Sequence, residues 1–580
     1  MLRRKRTSVR SLPANQRNYH LRRRSVCSLL TESLDRILNV EPLEERTLLA
    51  ADFGDAPNFY PTLIAENGAQ HTAVGPTLGA TRDTETDGTH SPNADADGAD
   101  EDGVTFGIIH VGQLGASVTV NVQGGAAKLD AWIDFNGDGS WGGPGEQIFD
   151  SVNVTDAGSG DNVLSFDVPS WAADGTTFAR FRLSTAGDLG VGGLADDGEV
   201  EDYALTILPP AAASGDFADK HEVEAANANA IFAADVDGDG DMDVLSALAG
   251  AFDNGIFWYE NDGSQNFATH TISTGGADNV FAADVDGDGD MDVLSASSVK
   301  IAWYENDGSQ NFATHTITTG GDSDVFAADV DGDGDMDVLS ASLFDGTVAW
   351  YENDGSENFA THTITTEAYG ALSVFAADVD GDGDMDVVSA SYSDNKIAWF
   401  ENDGSQNFAT HTITTGAAGA LDVFAADVDG DGDMDVVSAS FFDGKVAWYE
   451  NDGSQNFATH TISTGGAYNV IAADVDGDGD MDVVSASYYG NNKVAWFEND
   501  GSENFAIHTI STESYGGSIV LAADVDGDGD LDVLLSGYGG ISWSENGTPI
   551  ANSTVAGRHI FYNQSTFDGN SAAINASDNN

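Results

Sequence analysis

The stretch "DVDGDGDMD" fills Asp235 to Asp243, and its reading decides the rest of the chain. The same nine letters return from Asp284, Asp329, Asp378, Asp427 and Asp474, and a seventh copy from Asp524 differs only by Leu531 in place of Met. Each copy sets carboxylates at positions 1, 3, 5, 7 and 9 and glycines at 4 and 6. Oxygens at 1, 3 and 5 with Gly at 6 are the spacing by which a sharp turn folds acidic side chains around Ca2+. A helix-borne calcium loop closes its shell with an acid at position 12. Here position 12 is Ser246, inside a strand-like run, so position 9 is expected to close the shell and position 7 to offer its carbonyl. Hard oxygens without His or Cys favour Ca2+ over zinc or copper. A solvated acidic turn needs only one or two Asp, and it leaves the ordered set unexplained where other loops ("SSV", "LFDGT", "YYGNN") have diverged.

The candidate ligands are Asp235, Asp237, Asp239, Asp241 and Asp243 in the first copy, and Asp284, Asp286, Asp288, Asp290 and Asp292 in the second. The third copy has Asp329, Asp331, Asp333, Asp335 and Asp337; the fourth has Asp378, Asp380, Asp382, Asp384 and Asp386. The fifth has Asp427, Asp429, Asp431, Asp433 and Asp435; the sixth has Asp474, Asp476, Asp478, Asp480 and Asp482. The seventh supplies Asp524, Asp526, Asp528, Asp530 and Asp532.

The copies start 49, 45, 49, 49, 47 and 50 residues apart, a period of propellers and arrays. One unit, Val374 to Ile413, holds four strand-like runs, "VFAAD", "DVVSAS", "KIAWFEN" and "NFATHTI", with turn residues between them. Four strands per unit is a propeller blade. Before the first copy lies "DFADKHEV", an eroded fourth run, and after the last come only a second and a third run. A lone strand at Phe217–Val223 is therefore expected to complete the seventh blade and close the ring, which leaves no open sheet edge. The units resemble the FG-GAP/VCBS repeat, which includes the integrin α propeller. The resemblance covers 216–546 and implies Ca2+ in the loops of one face, with partner recognition often on the other. The Phe-Gly and Gly-Ala-Pro elements of the name are replaced here by "VFAADVDGDG".

Upstream, residues 51–208 alternate apolar and polar residues in short runs such as "ASVTVNV", "KLDAWIDF" and "TTFARFRL", which predicts an antiparallel β-sandwich. "DFNGDGSW" offers a second, partial calcium loop from Asp134, Asn136 and Asp138, with Gly139 at position 6 and Glu146 at 13; a plain Asn/Asp/Gly hairpin is the alternative. The module opens "DFGDAP" and closes "GEVEDY", and so resembles the GEVEDY domain of bacterial extracellular proteins. That likeness implies an extracellular location and no particular activity. Residues 209–215 read as a linker.

Residues 1–50 are basic, and their apolar stretch is broken by Glu32, Asp35 and Arg36, a poor match to a secretory signal. The segment Leu43 to Leu49 resembles the LEPR-XLL segment of planctomycete secreted and surface proteins, with Glu45 where that segment has Pro. The first 50 residues are accordingly expected to be an export leader. The polar tail 547–580 resembles the start of a further module, as if the chain ended within it.

The net charge of −76 repels nucleic acid and calls for counter-ions, and 35 of the 97 acids sit in the nonamers. That clustering favours ligation over disorder or a scattered halophilic surface. The one cysteine, Cys27, lies in the leader, so metal is the available staple. No run of 18 apolar residues occurs. Seven histidines in register, from His221 to His508, are expected to be structural or exposed, and seven tryptophans to pack between blades. No nucleophile-elbow, zincin or P-loop motif appears. The expected protein is all-β, an N-terminal sandwich followed by a seven-bladed propeller of four-stranded blades. It is expected to be secreted, monomeric, non-catalytic and loaded with about seven Ca2+, with an unidentified extracellular protein or polysaccharide as partner. A polysaccharide-processing enzyme and a structural spacer are the alternatives.

Overall fold

The computed structural model describes residues 51–547, apart from 83, 97–102, 144, 157, 159–160, 216, 218–219, 250–253, 357, 488–492, 503, 512–518 and 538. The leader and the tail lie outside the described residues. So does most of the acidic stretch Asp95 to Asp102. Described residues are almost wholly strand and loop, with one 3-10 turn at Ile64–Glu66.

The first module holds a four-stranded sheet of Ala127–Ile133, Gln147–Val154, Gly175–Ser184 and Glu199–Ile207. A three-stranded sheet of Val104–Phe106, Ala116–Val120 and Asn162–Phe166 accompanies it. Val118, Val120 and Phe166 of the smaller sheet share one apolar core with Leu129, Ala131 and Phe181 of the larger. The two ends of the module are tied together. Arg180 forks onto Asp202 at 2.7 and 2.8 Å, and Asp202 also accepts the Ala56 N–H at 2.9 Å. Both charged side chains are fully buried. Gly54 of "DFGDAP" is required there, because a Cβ would stand 2.2 Å from an Asp202 oxygen.

Among the described residues the repeats form seven four-stranded sheets. In the fourth, Ala371–Ala377, Asp386–Ser391, Lys396–Asn402 and Phe408–Thr414 pair antiparallel in chain order. The second strand is buried along its whole length, whereas the fourth holds only half-buried and exposed residues. After its leading Asp, "DVVSAS" is apolar or small because sheets cover both of its faces; "FATHTIT" is richer in polar residues because one of its faces meets water. Trp350 of the third sheet is buried against Ala371, Val374 and Phe400 of the fourth.

The first strand of each sheet touches the first strand of the next, and Val520–Ala523 in turn touches Ala230–Ala234. Phe232, Phe281, Phe326, Phe375 and Phe424 follow one another around these strands, with ring centroids 4.6 to 4.9 Å apart. The seventh sheet takes its outer strand, Lys220–Glu224, from the other end of the array; it pairs with Gly540–Ser544.

Candidate metal centre

Each nonamer turns between the first and second strands of its sheet. Gly238 and Gly240 have φ of 71° and 92°, values that favour glycine, and positions 4 and 6 are alike in the other copies. The position 1 carboxylate organises the turn. Asp235 Oδ1 accepts the N–H groups of Gly238 and Asp239 at 2.9 and 3.1 Å, and Oδ2 accepts that of Gly240 at 2.8 Å.

Position 9 lies deeper. Asp435 Oδ1 accepts the Asn451 N–H at 2.7 Å, while Oδ2 accepts the Trp448 indole at 2.8 Å and the Val428 N–H at 3.1 Å. Burial pushes Asp435 up to about 8 and Asp386 to about 9. At position 1, burial pushes Asp284 up to about 7 and Asp329 to about 8. Neighbouring carboxylates of the same loop add to both shifts. Such environments disfavour bare anions unless a positive charge stands among them.

In the first five loops the turn gathers three carboxylates so that their oxygens lie within 4.8 Å of one another. In the first and third loops these are positions 1, 3 and 5: Asp235, Asp237 and Asp239, then Asp329, Asp331 and Asp333. In the second, fourth and fifth they are positions 1, 3 and 9: Asp284, Asp286 and Asp292, then Asp378, Asp380 and Asp386, then Asp427, Asp429 and Asp435. One oxygen of Asp237, Asp331, Asp380 and Asp476, all at position 3, is buried without a hydrogen-bond partner. An orphaned acceptor among other carboxylates is the chemistry a hard cation satisfies. At position 7 the Asp241 carboxylate lies beside the turn after the third strand, 2.5 Å from where a Gly263 Cβ would stand.

The partial loop of the first module is more buried. Asp134 accepts N–H groups from Gly137 and Gly139 and the Tyr60 hydroxyl at 2.5 Å. Glu146 Oε1 accepts the Phe135 N–H at 3.1 Å, so the acid at position 13 folds back onto the turn. Burial pushes Asp134 up to about 7 and raises Asp138 and Glu146 as well. Asn136 is spent inside the turn, donating to Asp138 at 2.9 Å and accepting its N–H at 3.0 Å.

Comparison with known families reads the same units. A model of the FG-GAP-like repeat matches 235–295, 284–340, 329–389, 378–438, 433–485 and 474–535, which together span 235–535 without a gap. The chain belongs to the FG-GAP-like repeat family. A GEVED domain model matches residues 128–206, within the first module. No curated protein matches the chain. Solved structures similar to this FG-GAP-like repeat protein include an Agrocybe aegerita lectin specific for non-reducing terminal N-acetylglucosamine. It is 20% identical and covers 53% of this chain and 85% of the lectin, with a TM-score of 0.38. Virginiamycin B lyase from Staphylococcus aureus is 11% identical, covers 56% of this chain and 97% of the lyase, and has a TM-score of 0.40.

Two features of the repeat are not apparent from the loop spacing. In the sequence the Asn of "EN" is one polar residue among many. In the structure Asn402 donates to Met385 O of its own sheet at 3.2 Å and to Val330 O of the preceding sheet at 3.0 Å. The same staple joins each sheet to the one before, and Asn261 donates to Val525 O at 3.0 Å, from the first sheet to the seventh. The histidines, for their part, sit on the outer strands. His411 lies 4.5 Å from the Trp399 ring and bonds Glu401 at 2.6 Å, and each stands in its own sheet.

Proposed function

We propose that this protein is a secreted, non-catalytic recognition protein: a β-sandwich module joined to a closed seven-bladed propeller whose seven DxDxDGxxD loops hold Ca2+. The observation that carries the metal assignment is the buried, unpartnered oxygen at position 3 of the first, third, fourth and sixth loops, set among carboxylates already arranged by the turn. Positions 1, 3, 5 and 9 supply the ligating oxygens and position 7 its carbonyl. The ion neutralises charge that burial makes costly, so binding is linked to folding.

Recognition is supported by where the copies differ. Loops joining second to third strands, and fourth strands to the next sheet, leave the sheets at the end opposite the nonamers. They expose Phe344, Tyr369 and Phe442, and aromatic side chains are enriched where proteins meet partners. FG-GAP-like repeats are typical of extracellular proteins, and no helix of the described residues is long and apolar enough to cross a membrane.

Titration calorimetry on metal-stripped protein tests the calcium assignment. About seven ions per chain are expected, with a melting temperature that rises on loading. A melt unchanged by verified calcium removal sinks it. Recognition without catalysis predicts retention of a glycan or protein ligand in its original chain length.

A further inference from the structure

The first module packs on the edge of the ring that carries the metal loops. Asp329 donates its N–H to Gly142 O at 3.2 Å, and Asp378 donates its own to Asp138 Oδ2 at 3.1 Å. From the linker, Ala213 N–H reaches Asp476 O at 3.1 Å, and from the module Ser170 Oγ donates to Ala522 O at 2.6 Å. Toward the sixth and seventh sheets the contact is apolar: Leu531, the one substitution in the nonamers, lies 3.0 Å from where a Gly112 Cβ would stand. Leu531 also shares a core with Val111 and Val168.

Toward the second, fourth and sixth loops the module also presents acid to acid. The Asp138 carboxylate lies against the fourth loop and repels Asp378. Asp150 stands so close to the second loop that a Cβ on Gly287 would be 1.9 Å from its Oδ2, and it repels Asp284 and Asp335. Asp174 lies 3.6 Å from where a Gly479 Cβ would stand, in the sixth loop, and repels Asp478 and Asp480. Lys128 reaches Asp188 at 3.9 Å, which offsets one further acid of this face. On the same edge Asp331, Asp380 and Asp476 carry the unpartnered buried oxygens. An interface built of facing carboxylates is unfavourable bare, because like charges repel more strongly as water is excluded.

We propose that the cations held in the loops also fasten the first module to the ring, so that the module docks on the loaded edge and is released when the metal is withdrawn. This rests on the calcium reading above. A divalent ion in each loop offsets two of its five carboxylate charges and so weakens the repulsion toward Asp138, Asp150 and Asp174, while the apolar contact at Leu531 sets where the module sits. The ring and the module are thereby coupled through metal concentration.

The test uses the full chain at stepped free-calcium levels, with bound calcium, radius of gyration by X-ray scattering and protease cleavage in the linker 209–215 measured on one sample. Release predicts that the particle expands and the linker becomes cleavable as calcium leaves. Calcium loss with an unchanged radius and a protected linker overturns the proposal. Absence of calcium binding at any level overturns the metal assignment itself, and this inference with it. The double variant Asp150→Asn/Asp174→Asn is expected to lower the calcium level at half-release about five-fold, because the bare interface then repels less. An unmoved midpoint overturns the proposal even where the ring loses structure in the same step.

Discussion

At the scale of single residues, the position 9 aspartates show how one carboxylate joins fold and metal. Asp435 serves two N–H groups and the Trp448 indole, so each of its oxygens is used before any ion arrives. In Asp435→Asn the new amide turns its own N–H toward donors that have lost their acceptor. Calcium-loaded protein is expected to lose about 2–3 kcal/mol in urea titration. In chelator the loss should shrink, since Asn carries no charge to bury. The titration of these groups carries a sign. Asp435 moves from an ordinary 3.8 to about 8 and Asp386 to about 9, so the folded, metal-free protein holds protons that the unfolded chain has released. That contribution is fully present below about pH 4 and is lost as pH rises through about 8–9. With chelator the melting temperature should therefore fall between about pH 5 and pH 8. With saturating calcium it should rise over the same range, because the ion displaces the protons. Scanning calorimetry at the two pH values checks both directions.

At the scale of elements, the asparagine staple does what sheet pairing cannot, since neighbouring sheets share no ladder. Asn402→Ala removes two buried hydrogen bonds and strands the carbonyls of Val330 and Met385. A loss of about 2–4 kcal/mol is expected in denaturant unfolding. His411→Ala removes a pair that is well exposed on both sides, and should cost under about 1 kcal/mol. Equal losses for the two variants would refute this ranking. Strand-like runs made the four-stranded unit legible, because four of them, separated by turn residues, recur in each copy. The nonamer spacing likewise pointed to the carboxylates that the turn gathers. The staple was not legible, because an Asn that bridges sheets has the same local pattern as one that ends a strand. The acid-on-acid contact was also hidden: Asp150 and Asp174 are ordinary loop or strand-face acids until the fold brings distant loops against them.

At the scale of the whole molecule, the contacts that run from each sheet to the next return from the seventh to the first. The circle is joined by the contact of Val520–Ala523 with Ala230–Ala234, by the Asn261 bond to Val525 O, and by Lys220–Glu224 lying on Gly540–Ser544. The last of these is the weak link, because it is one short strand with a bulge between Glu222 and Glu224. Its partner carries the buried Trp543, which stacks on His221 with ring centroids 4.3 Å apart. An internal deletion of 220–224 would leave the inner contacts and the staple in place and bare one edge of Gly540–Ser544. A bare edge pairs with another chain, so the deletion variant should elute as a monomer when dilute and as dimers or larger species when concentrated. Multi-angle light scattering across a hundred-fold dilution separates this from simple unfolding, which would show a loss of strand signal at every concentration. If the variant stays monomeric and melts with the full-length protein, the borrowed strand contributes nothing to closure, and the inner contacts with the Asn261 bond hold the circle alone.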